Sequence, residues 1–187
     1  MSLTKKDIKT LLQVAKKSIQ LGLETDKPLV VEVTDYEEEL QKVKATFVTL
    51  EINQNLRGCM GTITAFRPLI SDVSYQAYNA AFYDPRFSRV GINEFPILDI
   101  HISILTEPKS MSFDSEDDLI QQLRPGVDGL IISDRGHRAT FLPSVWESLT
   151  DPQDFLHHLK KKAGLPSKYW SDTFEAQNYT TESIHAP

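Results

Sequence analysis

The chain of 187 residues is 40% hydrophobic and 25% charged, which suits one globular domain with one good core. Its formal net charge of −6 repels phosphate backbones and argues against broad nucleic-acid binding. No apolar run approaches the roughly 20 residues a membrane crossing needs. With no signal-peptide pattern and one cysteine, the expected setting is the reducing cytoplasm.

Thr4-Lys5-Lys6-Asp7 reads as a capping box, followed by Ile8, Leu11, Leu12, Ala15 and Ile19 at helical spacing, with Gly22 as the expected stop. Pro28–Val33 is short and β-branched and predicts a strand. Residues 44–52 and 56–63 predict a hairpin about Asn53-Gln54-Asn55. Pro68 then opens a helix that carries Leu69, Ile70, Val73, Ala77 and Ala81 inward. Tyr83–Phe87 reads as an ordered loop. Residues 97–106 alternate Ile100, Ile102 and Ile104 against Asp99, His101 and Ser103, the pattern of a half-buried strand.

A short helix over about 115–123 leads to a second hairpin, 129–133 with 138–142, around Asp134–His137. Short helices open at Pro143 and at Asp151-Pro152, and residues 174–181 predict a last strand. A hairpin-then-helix unit therefore occurs twice, and the fold class is an antiparallel-rich α+β domain over 1–187.

The stretch Leu56-Arg57-Gly58-Cys59-Met60-Gly61 holds the only cysteine. Period-two alternation places Arg57, Cys59 and Gly61 on one face, with the first two Cα atoms roughly 6.6 Å apart. Two glycines within four strand positions ask for a bulge or for close approach by a backbone or a ligand. A neighbouring guanidinium favours a thiolate, yet cysteine also serves as a small buried hydrophobe. A cysteine nucleophile needs a base, and sequence places neither His101 nor His137 beside Cys59. In Asp84-Pro85-Arg86-Phe87, Arg86 could clamp an anion, or Asp84 could lock the loop through backbone amides and Arg86.

The five histidines show no metal-ligand spacing, and no phosphate loop or nucleophile elbow is present, so neither metal nor cofactor is expected. Lys160–Lys162 closes a helix, where cations complement the dipole and a solvated end is expected. Tyr75, Tyr78 and Phe82 are spaced as packing residues.

Five stretches, "LRGCMG" (56–61), "NAAFYDPRF" (79–87), "LRPGVDGLII" (123–132), "TFLPSVWE" (140–147) and "KAGLP" (162–166), resemble in this order the AMMECR family. Its prokaryotic members are called AmmeMemoRadiSam system protein A. The resemblance implies two intertwined β/α repeats sharing an antiparallel, barrel-like sheet, and a larger and a smaller lobe that leave a cleft between them, with Arg57-Gly58-Cys59 near it. It also implies Memo-type and radical SAM partners, and it supplies no established reaction. Arg57, Gly58, Cys59, Gly61, Asp84, Pro85, Arg86 and Phe87 match the family signature. Met60 replaces the usual isoleucine, and His101 and His137 stand where no family histidine is expected.

The resulting expectation is an accessory protein that binds a small anionic ligand or a modified peptide through Arg57, Gly58, Gly61, Asp84 and Arg86. The alternative is an enzyme that uses Cys59 as a nucleophile or redox thiol, with Arg57 lowering its pKa.

Overall fold

In the computed structural model the described residues are 3–185, and they divide into two compact units. The first comprises the chain up to Ile104 with the stretch from Glu182 onward; the second is Leu105–Thr181.

The first unit opens with helix α1 (Lys5–Thr25), whose Thr4 hydroxyl accepts from the Asp7 N–H while the Asp7 carboxylate accepts from the Thr4 N–H. Gly22 is not the stop. The helix runs on to Thr25 and ends at Asp26 in the left-handed region (φ 58°). Gly22 instead lets α1 close on the next long helix, since a Cβ there would lie 2.3 Å from the Phe82 ring. Nor does Pro28–Val33 form a strand. At Leu29 the backbone is satisfied by side chains: the Leu29 N–H donates to the Ser18 hydroxyl, and the Ser74 hydroxyl donates to the Leu29 carbonyl. Leu29, Val31 and Val33 pack on the core, so the β-branched run serves packing without pairing.

A single turn, α2 (Glu38–Gln41), precedes the hairpin β1 (Thr46–Ile52) and β2 (Asn55–Gly61). The turn residues Asn53 and Gln54 both have positive φ, the requirement of a tight two-residue hairpin. Helix α3 (Leu69–Phe82) packs on the hairpin and against α1, and β3 (Asp99–Leu105) pairs antiparallel with β1. Leu11, Ile19, Leu50, Ile70, Val73 and Ile102 lie at the centre of this core.

The second unit starts with β4 (Lys109–Ser110) and α4 (Glu116–Gln122). The hairpin β5 (Gly129–Asp134) and β6 (His137–Phe141) follows, then α5 (Pro152–Lys162) and β7 (Glu175–Tyr179). Asp151 caps α5 by accepting from the Gln153 and Asp154 N–H groups. The lysine run at its end is not a uniformly solvated cap. Lys160 is 0% exposed, donates to Glu116 Oε1 at 2.6 Å, and lies beside the Trp170 and Phe174 rings. Lys162 donates to the Thr140 carbonyl at 2.9 Å. Trp146 stacks on Phe155 at the centre of this core, 3.7 Å between centroids.

The stretch expected to be one last strand is two, β7 and then β8 (Thr181–His185), and each joins a different sheet. The sheet orders are β2-β1-β3-β8 and β4-β7-β5-β6. Written from the hairpin outward, β2-β1-β3-β8 and β6-β5-β7-β4 are the same arrangement. Each repeat runs helix, hairpin, helix, strand, and then sends its following strand to the other repeat's sheet. The intertwining implied by the resemblance is this exchange, and it produces two open four-stranded sheets rather than one barrel. No helix among the described residues is long and apolar enough to cross a membrane.

Candidate functional site

β2 is an edge strand, so alternate N–H groups of its backbone face away from β1 and need partners. The loop after α3 supplies one. Asp84 Oδ2 accepts from the Cys59 N–H at 2.9 Å, and Oδ1 accepts from the Arg86 N–H at 3.0 Å. Both oxygens also take the Arg86 guanidinium, Nε to Oδ1 at 3.0 Å and Nη2 to Oδ2 at 2.7 Å. These bonds, the one from Arg86 foremost, hold the Asp84 carboxyl down at about 2 against the opposing effect of burial. Asp84 is therefore the lock that fastens the Asp-Pro-Arg-Phe loop to the cysteine strand.

Arg57 does not flank the thiol as alternation predicts. The register passes from Leu50↔Gly58 to Glu51↔Leu56, so Arg57 is the extra residue of a β-bulge. Freed from the pleat, it turns to Glu94, with Nε on Oε1 at 2.7 Å and Nη2 on Oε2 at 2.9 Å. It also donates to the carbonyls of Ser88 and Arg89. Its side chain is only 13% exposed. The Glu94 hydrogen bond raises the Arg57 pKa further, and Glu94 is lowered by Arg57 and by the Gly91 N–H. An arginine so committed ties the 88–94 segment to β2 and does not await an anion. Sequence spacing carried no sign of Glu94, which lies 37 residues away.

The glycines, expected to lie open to a ligand, are filled by the chain itself. A Cβ at Gly58 would stand 2.1 Å from the Ala80 carbonyl oxygen of α3. At Gly61 it would meet the Phe47 ring and the Thr46 carbonyl oxygen, each at 2.4 Å. Both positions answer the close approach of a neighbouring backbone.

Cys59 is half-buried on the face of β2 turned away from α3. The Thr49 hydroxyl, directly opposite on β1, donates to its Sγ at 3.2 Å. Thr49 is in turn opposite His101 on β3, so Cys59, Thr49 and His101 form one row across three strands. That geometry interposes a residue between thiol and imidazole, and His101 lies 3.5 Å from Glu51 instead. Arg86 is one cation that acts on Cys59. Its guanidinium is raised first by the Asp84 hydrogen bond, with burial opposing and a smaller electrostatic contribution from Cys59. The Arg86 side chain is 56% exposed. Thr49 could have been found from the strand pattern opposite Cys59, as the central residue of the row.

The site thus brings Cys59, Asp84 and Arg86 together, with Thr49 as a fourth member, and diverts Arg57, Gly58 and Gly61 to internal roles. Among the described residues, no three of His, Cys, Asp and Glu are grouped so as to hold a metal ion. His137 is exposed, and its Nδ1 lies 2.8 Å from the Ala163 carbonyl, which fixes that nitrogen as the protonated donor.

The chain is similar to known proteins in sequence and in fold. The AMMECR1 family model matches residues 12–184. A protein of Methanothermobacter thermautotrophicus is 35% identical over 171 residues, covering 91% of this chain and 88% of that one. Protein MJ0810 of Methanocaldococcus jannaschii is 35% identical over 147 residues, 77% and 72% of the two chains. In three dimensions the chain is similar to the uncharacterized protein PH0010 of Pyrococcus horikoshii, with a TM-score of 0.86 at 30% identity over 92% of this chain and 88% of that one.

Proposed function

Because the chain belongs to the AMMECR1 family, we propose that it is a cytoplasmic accessory protein whose working surface is the corner of Cys59 and Arg86. In this reading the corner takes a small anionic ligand or an anionic, modified peptide, in company with Memo-type and radical SAM proteins. The partners rest on the family resemblance. The ligand class rests on one observation: Asp84 holds the Arg86 guanidinium at two nitrogens, while more than half of the side chain stays in water beside the thiol. A guanidinium fixed in this way has lost its rotational freedom before an anion arrives, which reduces the ordering cost of binding. Arg57, Glu94, Gly58 and Gly61 build the corner and do not touch the ligand.

The Thr49 contact favours a second reading, in which Cys59 reacts. A hydroxyl that donates to sulfur stabilises a thiolate, and Arg86 adds positive charge. A base within reach of the thiol is missing from this row, since Thr49 stands between Cys59 and His101.

Arg86→Gln separates the two readings. Titration of inorganic phosphate into the wild-type chain should shift the Arg86 Nε–Hε resonance and the Cys59 amide, and the variant should abolish the response while leaving alkylation of Cys59 nearly unchanged. Phosphate responses that persist in the variant would sink the binding role of Arg86. An alkylation rate that falls tenfold or more, about 1.4 kcal/mol, would favour the reactive thiol.

A further inference from the structure

The second unit carries a feature that the Cys59 corner does not use. Two adjoining depressions of about 490 Å3 and 510 Å3 share Ser133, Arg138 and Glu175, and so form one trough. Those three residues are aligned by register: Ser133 on β5 is opposite Arg138 on β6 and opposite Glu175 on β7. They stand on the face turned away from the Leu130, Ile132 and Ala176 core.

Two strand spacings put the Arg138 and Glu175 Cα atoms roughly 9.6 Å apart, near enough for their arms to converge over Ser133. Ser133 donates to Glu175 Oε2 at a long 3.4 Å, which leaves Glu175 weakly satisfied. Arg138 makes no ion pair among the described residues, and both side chains are exposed. Of the other charged groups of the trough, Arg135 in the β5–β6 turn is a second exposed guanidinium, and the rest are committed. The Asp134 carboxylate accepts from the hydroxyls of Tyr169, Ser171 and Thr173, and His137 is bound to the Ala163 carbonyl. At the far end the lining includes Met111 and Phe113, which also pack against the second core, and the buried Phe174.

We propose that this trough binds a small zwitterion with an apolar side chain, an α-amino acid in chemical class. Its carboxylate would sit on Arg138, its ammonium on Glu175, and its side chain against Met111 and Phe113. A simple anion would meet Glu175 and a simple cation would meet Arg138, whereas a ligand that carries both charges is matched at both ends of the pair. Each depression, at about 490 and 510 Å3, falls within the volume range of small-molecule sites.

The test is calorimetric titration of the full chain with L-phenylalanine and L-leucine, beside phenethylamine and 3-phenylpropionate, which each lack one charge. At least one amino acid should bind at least tenfold more tightly than either half-ligand. Arg138→Gln and Glu175→Gln should each weaken it at least tenfold, with unaltered circular dichroism showing that these exposed variants fold. Arg86→Gln should leave binding unchanged, which keeps this result separate from that of the Cys59 corner. Failure of both amino acids to bind up to their solubility would overturn the proposal. So would equal binding of a half-ligand, or full binding by Arg138→Gln.

Discussion

At the scale of single residues, Asp84 carries more of the candidate site than the cysteine it supports. Its side chain is 2% exposed, and its two oxygens accept four hydrogen bonds, from the Cys59 and Arg86 backbones and the Arg86 guanidinium. A carboxyl held at about 2 against an ordinary value of 3.8 contributes stability that is fully present above the ordinary value and is lost as pH falls toward 2. Water around Arg86 screens the pair, so removing the carboxylate by Asp84→Ala should cost about 1–2 kcal/mol at neutral pH. Urea denaturation at a series of pH values checks both parts: the variant should lose the midpoint difference from wild type as pH falls from about 5 to about 2. This lock was legible in sequence as one of two readings of Asp-Pro-Arg-Phe, because turn chemistry is local. That its other partner is the Cys59 amide was not, because 25 residues of helix and loop separate them.

At the scale of elements, β2 shows what alternation can and cannot tell. The strand and its hairpin turn are plain in the sequence, and so is the demand of its glycines for close approach. What approaches is the chain, and the bulge at Arg57 breaks the pleat on which the side-by-side placement of Arg57 and Cys59 relied. A bulge is invisible to periodicity because it changes register without changing composition. Likewise the β-branched Pro28–Val33 segment has strand propensity but finds Ser18 and Ser74 in place of a neighbouring strand. Gly58→Ala tests the packing argument for β2. Its Cβ would overlap the Ala80 carbonyl, a backbone atom of α3 that cannot swing aside, so the expected cost is about 2–3 kcal/mol in chemical denaturation. A cost near zero would mean that α3 and β2 separate freely, and with them the loop that carries Asp84.

At the scale of the whole molecule, the two repeats are recognisable from sequence as a doubled hairpin and helix, but the exchange of their last strands is not. β4 has two residues, too few for a periodic signal, and β7 and β8 run together as one extended stretch that only pairing divides. The exchange makes the first unit depend on residues that the chain reaches last. Ile184 of β8 is 3% exposed in the core of the first unit, although in sequence it follows the strands of the second. β8 also covers the edge of β3, the strand that holds His101 in the Cys59 row. Ile184→Ala removes buried side-chain volume there, and the expected cost is about 2–4 kcal/mol. Hydrogen exchange should locate that loss: amides of β1 and β3 become less protected, while those of β5 and β7 keep their protection in the native state. The opposite pattern would contradict the exchange, since a C-terminal strand that served its own sequence neighbours would loosen β7 first. If β1 and β3 respond as expected, stability at the Cys59 row depends on a residue more than a hundred positions away, and the terminal strand belongs to the candidate site as much as the hairpin does.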